Sequence, residues 1–411
     1  MVLPRHIAPA GTPIGAATLL GAGVDGLLGR DADRALTEAI CSRYGVRHCM
    51  TLSSGRAALT LILRALVRLR NDPRRNQIIV PGYTCYSVAA AAILAGLELR
   101  ILDIDPATLS YRRDRLEASD FSRVLAVVSA NLYGLPNELD YLERLAAAQG
   151  VYMIDDAAQS MHATLQGRYA GTFGDVGLYS FDKGKNITCL QGGAIVTRDD
   201  GIAAALREMI RSLPREAATT ATAGFFKLAA YALLLRPELY WIPASIPALG
   251  LGKTVYTTDI PMHRLGRVAT ALVNRLFKVI DDISAQRIAA AKRISAVLKD
   301  TPQLTAVMPV AESSPVYLRF PCLAENTAQR DLLVRELNRN GIGATASFPQ
   351  ALCDLEEIAG HVTVGAGACE GARAVAQRVL TLPTLAYLRD VDIERLAGAL
   401  HRTLRPGRDT C

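Results

Sequence analysis

Short apolar runs recur along the first half of the chain, at 46–52, 77–80, 97–104, 123–129, 151–154, 175–181 and 192–197. Each is bounded by Gly, Pro, Asp, Asn or Ser, the pattern of strands buried on both faces. Between them the apolar positions shift to helical spacing, at 33–44, from the Ser53–Leu59 turn to about Arg70, and at 139–149. Alternating strand and helix predicts an α/β fold with a mainly parallel, doubly wound, seven-stranded sheet. One long helix is expected from His263 to Arg287.

Beyond that helix the pattern changes scale. A strand at Val316–Phe320 is followed by a helix to Asn340 that Asn326 or Thr327 caps and Gly341 ends. V-L-T-L-P and a helix from about Asp392 to Thr403 complete a smaller α/β unit. The expected division is a large domain over 1–285 and a small one over 286–411, with an apolar insertion at 213–256. From Ala223 to Leu235 the insertion carries one charge, Lys227. That run is shorter than the ~20 residues a membrane span needs, and Pro237, Pro243 and Pro247 break the stretch after it. It reads as a buried helix or dimer contact. A sharper reading is a surface over 223–251 that touches a bilayer or a lipid-like substrate, with Tyr240 and Trp241 at the interface.

Composition narrows the class. The chain has 411 residues, half of them hydrophobic and 21% charged, enough for two packed domains and unlike a disordered protein. The net charge of +7 is spread without a basic tract, so no nucleic-acid partner is expected; it suits an anionic ligand or an acidic membrane surface. Eight cysteines, at 41, 49, 85, 189, 322, 353, 369 and 411, form no C-x-x-C, and the six histidines show no metal spacing. Reduced thiols in a cytoplasmic enzyme without zinc are expected. Pro4, Pro9, Gly11 and Pro13 interrupt any signal-peptide core.

The chemistry concentrates between Tyr152 and Thr197. Two strand ends there present Asp156, Gln159, Ser180 and Lys185 close together in sequence. Ligands of open α/β sheets bind beyond the strands' carboxyl ends. An acid, a hydroxyl and a lysine suit pyridoxal 5′-phosphate. A lysine amine holds its aldehyde as a Schiff base, a carboxylate keeps the ring nitrogen protonated, and a hydroxyl with backbone N–H groups holds the phosphate. Either residue alone reads as a surface lysine or a helix-capping aspartate; the joint pattern D-x-A-Q, S-F-x-x-x-K-N, G-G does not.

These motifs resemble the DegT/StrS family of pyridoxal phosphate-dependent sugar aminotransferases, of the aspartate-aminotransferase fold, PLP-transferase fold type I. The family pattern runs E-D-A-A-Q, F-G-D, F-S-F-x-x-x-K-N, G-E-G-G. The resemblance puts Asp156 on the ring-nitrogen aspartate, Gln159 beside the ring hydroxyl, Ser180 on the phosphate and Lys185 on the Schiff base. Lys183 has the wrong spacing from Ser180. S-S-G-R-A-A-L resembles the family's S-G-T-A-A-L phosphate turn, which places Gly55 there and Arg56 where threonine is usual; Arg56 is expected on the phosphate or on a second anion. In P-G-Y-T-C-Y-S the family's ring-stacking aromatic is replaced by Cys85, and Tyr86 is the ring neighbour expected instead. Met262 stands where a family asparagine reaches the partner subunit's phosphate, while Arg264 is kept. Asn131, Ser347 and Phe348 differ from the family on the substrate side.

The resemblance implies a homodimeric, cytoplasmic enzyme, or one peripheral to the membrane. Its amino donor would be glutamate and its acceptor a keto sugar, usually nucleotide-linked, in polysaccharide or glycoconjugate biosynthesis. Lys185 would also move the proton between substrate and cofactor. Family relatives with His for this lysine are dehydratases, so the retained lysine favours amino transfer over a sugar dehydratase. Two further readings stay open: a lipid-like keto substrate, and a cofactor-binding regulator without turnover.

Overall fold

In the computed structural model, residues 5–28, 31–216, 218–246, 254–364 and 369–404 are described. The apolar runs become strands: β1 (His48–Leu52), β2 (Gln77–Pro81), β3 (Glu98–Leu102), β4 (Val124–Ala130), β5 (Tyr152–Asp156), β6 (Val176–Ser180) and β7 (Gly193–Thr197). β2, β4, β6 and β7 are buried at every position, which is why they carry no polar alternation. β7 lies antiparallel between β1 and β6; the remaining pairs are parallel.

Helices α1 (Ala16–Leu27), α2 (Ala32–Tyr44), α3 (Gly55–Arg70), α4 (Tyr86–Leu94), α5 (Leu139–Gln149) and α6 (Asp200–Arg211) cover this sheet. Their caps follow the sequence: Ser54 accepts from Ala57 N at 3.0 Å at the start of α3, and Asp199 from Ile202 N at 2.7 Å at the start of α6. α1 is an addition to the predicted elements. Its glycine-rich inner face lets it lie close on a later helix, where a Cβ on Gly26 would come within 2.7 Å of Val268.

The insertion forms α7 (Ala218–Leu234) and a turn over Trp241–Ala244. Leu228 and Leu235 are buried and Phe225 packs against Gly23, while Phe226 stays 67% exposed. Residues 217 and 247–253 of the expected insertion lie outside the described residues.

The single helix expected from His263 to Arg287 is instead two, α8 (Arg267–Phe277) and α9 (Ile280–Lys299), with a break at Val279. His263 and Arg264 stay outside the helix because their backbones are engaged elsewhere. Ser53 N donates to His263 O at 2.9 Å and Arg264 N to Pro214 O at 3.0 Å. α9 runs straight through position 285.

The C-terminal part holds a three-stranded antiparallel sheet of Thr305–Ala306, β8 (Phe320–Leu323) and β10 (Val379–Leu382). It packs with α9, α10 (Thr327–Arg339) and α12 (Asp390–Leu404) around Ile294, Leu333, Leu380 and Leu396. Ile7 from the chain start joins this core. β9 (Val362–Val364) returns to pair parallel with β3, giving the large sheet an eighth strand; α11 (Glu370–Arg378) comes after it.

Candidate active site

The carboxyl ends of β1, β4, β5 and β6 open into a cavity of about 210 Å³. Gly55, Arg56, Asp156, Gln159, Ser180 and Lys185 all line it, so residues far apart in the chain meet at the carboxyl end of the sheet. Each is placed by a strand end or by the first turn of α3.

Gly55 faces Ser180 so closely that a Cβ would stand 3.0 Å from the serine Cβ. The Ser180 hydroxyl therefore sits over the start of α3, where the first N–H groups have no intrahelical partner. Hydroxyl, amides and helix dipole make this corner an anion cradle. Arg56 adds a cation. Among the described residues its guanidinium makes no ion pair or hydrogen bond, so its charge is available to a ligand.

Asp156 accepts from Ala158 N at 2.9 Å. Burial raises its carboxyl above the ordinary value; the Ala158 N–H and the positive charge of Lys185 pull the other way. Lys185 lines the cavity, whereas Lys183 is exposed and does not. Gln159 accepts from Tyr133 N at 3.0 Å, which commits its oxygen and turns its amide nitrogen over to a ligand. Tyr133 holds φ at 58°, a strained value for a residue with a side chain.

Tyr86 is not brought to the cavity. Its hydroxyl is held by Gln350 N at 3.0 Å and its ring centroid lies 6.0 Å from that of Phe348. Thr84, Cys85 and Val88 form that wall instead. Thr84 is buried, and its hydroxyl has no hydrogen-bond partner among the described residues. Ser347 and Phe348 are likewise absent from the lining. Asn131 lines the cavity, but its side chain is fully used: it donates to Asp155 at 2.7 Å and Asp156 O at 3.0 Å, and accepts from Asn137 N at 2.9 Å.

Several residues here carry no mark in the sequence. Asp155 is completely buried and accepts from Asn131, Gly171 N and Phe173 N. Burial pushes its carboxyl up to about 7 against those donors. Thr12 donates to Lys185 O at 2.8 Å and Asn186 O at 2.9 Å. Arg287 donates to Gly11 O, Thr12 and Asn186. Pro261 and His263 reach the cavity of their own chain, and His263 Nδ1 lies 2.9 Å from Arg264 O, which leaves Nε2 as the open nitrogen. No local pattern singles these residues out, since each acts through contacts far along the chain.

A model described as the DegT/DnrJ/EryC1/StrS aminotransferase family matches residues 27–230 and 247–401. A UDP-N-acetyl-3-dehydro-alpha-D-glucosamine 3-aminotransferase of Acidithiobacillus ferrooxidans is 27% identical over 372 residues, 90% of this chain and 88% of that protein. A GDP-4-keto-6-deoxy-D-mannose 3-dehydratase of Yersinia pseudotuberculosis is 29% identical over 159 residues, 38% of this chain and 40% of that protein. Among solved structures, the Helicobacter pylori aminotransferase PseC, involved in the biosynthesis of pseudoaminic acid, superposes with a TM-score of 0.78. That match is 18% identical and covers 97% of this chain and 99% of the other.

Proposed function

The chain belongs to the DegT/DnrJ/EryC1/StrS aminotransferase family, and from that premise we propose that it moves an amino group from glutamate to a nucleotide-linked keto sugar. It is a pyridoxal phosphate enzyme of fold type I. The cavity's donor set fits that group: an amine, a half-buried carboxylate, an anion cradle and a Thr84 hydroxyl without a partner among the described residues.

When bound, the group supplies an electron sink. The protein's part is division of labour around it. Lys185 would hold the aldehyde carbon, and its free amine would take and return the proton at the substrate carbon. Asp156 would pair with the ring nitrogen, and a cation there would offset the desolvation that raises the carboxyl. Gly55 and Arg56 N–H groups and Ser180 Oγ would hold the phosphate. Gln159 would lend its amide nitrogen to the ring hydroxyl. Arg56 takes a second anionic group, a role for which nucleotide phosphates of the substrate are suited. Cys85 lines the cavity where an aromatic would stand, and a thiol offers a cofactor ring less stacking surface.

The single observation carrying this reading is that Lys185, Asp156, Ser180 and the start of α3 share one cavity. The test is 2-oxoglutarate formation from glutamate in a single turnover, followed by a screen of keto-sugar nucleotides; Lys185→Ala forms none. A sugar dehydratase is the second reading, supported by the Yersinia relative. It would release water and leave the product without a new amine. The retained Lys185 favours amino transfer.

A homodimer, and work in polysaccharide or glycoconjugate biosynthesis, belong to the same proposal on the strength of the family likeness. So does contact with an anionic membrane surface. Leu20, Val24 and Leu27 of α1 are exposed beside Phe226, Leu233 and Trp241, the two segments packing through Gly23 and Phe225. A groove next to them is lined by Arg207, Arg211, Arg215, Arg264 and Arg267, with Asp31, Asp33 and Glu216 among them. Apolar side chains rimmed by arginines suit a surface of acidic lipids. No helix among the described residues is long and apolar enough to cross a membrane.

A further inference from the structure

Two cysteines outside the chemistry above stand together behind the cavity wall. Cys353 lies in the short turn Leu352–Asp354, and Cys369 occupies the N-cap of α11. Cys369 is part of an apolar cluster against which Cys353 packs, and each thiol is felt by the other. Asp354 and Arg373 join the same two elements by an ion pair at 2.7 Å. Cys353 is partly exposed and Cys369 is buried.

The pair lies against the Pro81–Ser87 turn. A Cβ on Gly82 would stand 3.5 Å from Cys369 Sγ and 2.8 Å from Ala372 Cβ. Leu352 N donates to Gly82 O at 2.8 Å. Thr84 and Cys85, two and three residues on, line the cavity.

We propose that Cys353 and Cys369 form a disulfide when the enzyme meets a peroxide, and that this bond displaces the 81–87 wall of the cavity. The neighbouring Cys353 thiol holds the Cys369 thiol below its ordinary value, against burial. The α11 amino end favours the thiolate as well. The Cys369 thiolate attacks one peroxide oxygen; the O–O bond breaks, hydroxide leaves, and residue 369 becomes a sulfenic acid. The Cys353 sulfur then attacks that sulfur, and the departing hydroxide takes up the proton Cys353 loses. Two thiols are oxidised by two electrons, and one hydrogen peroxide becomes two waters. A small oxidant is required because Cys369 is buried. The S–S bond of about 2.05 Å is shorter than any thiol hydrogen bond, so the two elements must close up. Gly82, already packed against Ala372, has to move with them.

The test treats the cofactor-loaded enzyme with hydrogen peroxide, blocks remaining thiols and maps the peptides. A 353–369 link that dithiothreitol reverses is expected before Cys41 or Cys85 is oxidised. In Cys353→Ser no link forms, and a sulfenic acid at 369 is trapped by dimedone. In Cys369→Ser neither product appears. Oxidation of other cysteines with no 353–369 link would overturn the proposal. The second arm, which alone rests on the cofactor reading, follows pyridoxal phosphate release after dilution. Oxidised wild type should release it several-fold faster than reduced, while Cys353→Ser, which keeps Cys85, should not change. A link that forms without altering release would overturn the coupling to the wall.

Discussion

Arg287 donates its Nε–H to Asn186 Oδ1 at 3.0 Å, both side chains buried, so the residue after Lys185 is fixed by a guanidinium 101 positions later. The same arginine reaches Gly11 O and Thr12, which in turn ties the backbone of 185 and 186. The lysine loop is thus held by α9 and by the chain start together. These hydrogen-bond partners of Arg287 are neutral, and burial lowers its guanidinium to about 10.

Arg287→Met removes the hub and leaves Asn186 Oδ1 and Gly11 O buried without donors. Unpaired buried acceptors cost roughly 1–3 kcal/mol each. Denaturant unfolding should show a loss on the order of 3 kcal/mol. Cofactor retention should fall more than the protein's helix content does, because the loop that carries Lys185 loosens first.

Asp156→Asn should separate charge from shape. Asn keeps an oxygen to accept from Ala158 N, so the turn stays intact. It cannot balance a protonated ring nitrogen. Single-turnover amino transfer should drop by roughly a hundredfold or more, with thermal stability unchanged or higher, since a partly desolvated carboxyl has gone.

Asp155 gives a pH signature. Its folded-state value of about 7 lies above that of the unfolded chain, so the folded state holds the extra proton between about pH 4 and 7. Stability contributed by this group is therefore present at low pH and lost as pH rises through 7, by at most on the order of 4 kcal/mol. Urea unfolding of wild type from pH 5 to 8 should show that decline, and Asp155→Asn should flatten it.

Phe226→Glu with Leu27→Glu tests the membrane surface. Both residues are largely exposed, 67% and 85%, so the change should alter stability by no more than ~0.5 kcal/mol. Co-sedimentation with phosphatidylglycerol vesicles should be lost, and neutral vesicles should bind neither protein. Phe225 would be a poor choice, since it packs on Gly23. Equal sedimentation of variant and wild type would remove the proposal.

The strands, their parallel order and the cavity's main lining are legible because buried strands write themselves as apolar runs and the site sits at their ends. Ser54, Asp199 and Asn326 are readable as caps because a cap acts within three residues. Illegible features act at long range. Residues 263–264 look helical but pair with residue 53 and residue 214. Asn131, in a position that suggests contact with substrate, is bound up with Asp155. Tyr86 offers an aromatic ring in the right stretch, yet the start of α4 points it toward Gln350. α1 has no polar stripe or side-chain cap to announce it.

The most direct measurement is the reaction of purified protein with pyridoxal 5′-phosphate, followed by borohydride reduction and peptide mapping. The account predicts a yellow protein and one reduced adduct, on the peptide containing Lys185, absent from Lys185→Ala. Protein that stays colourless, or an adduct placed on Lys183 or spread over surface lysines, would contradict it.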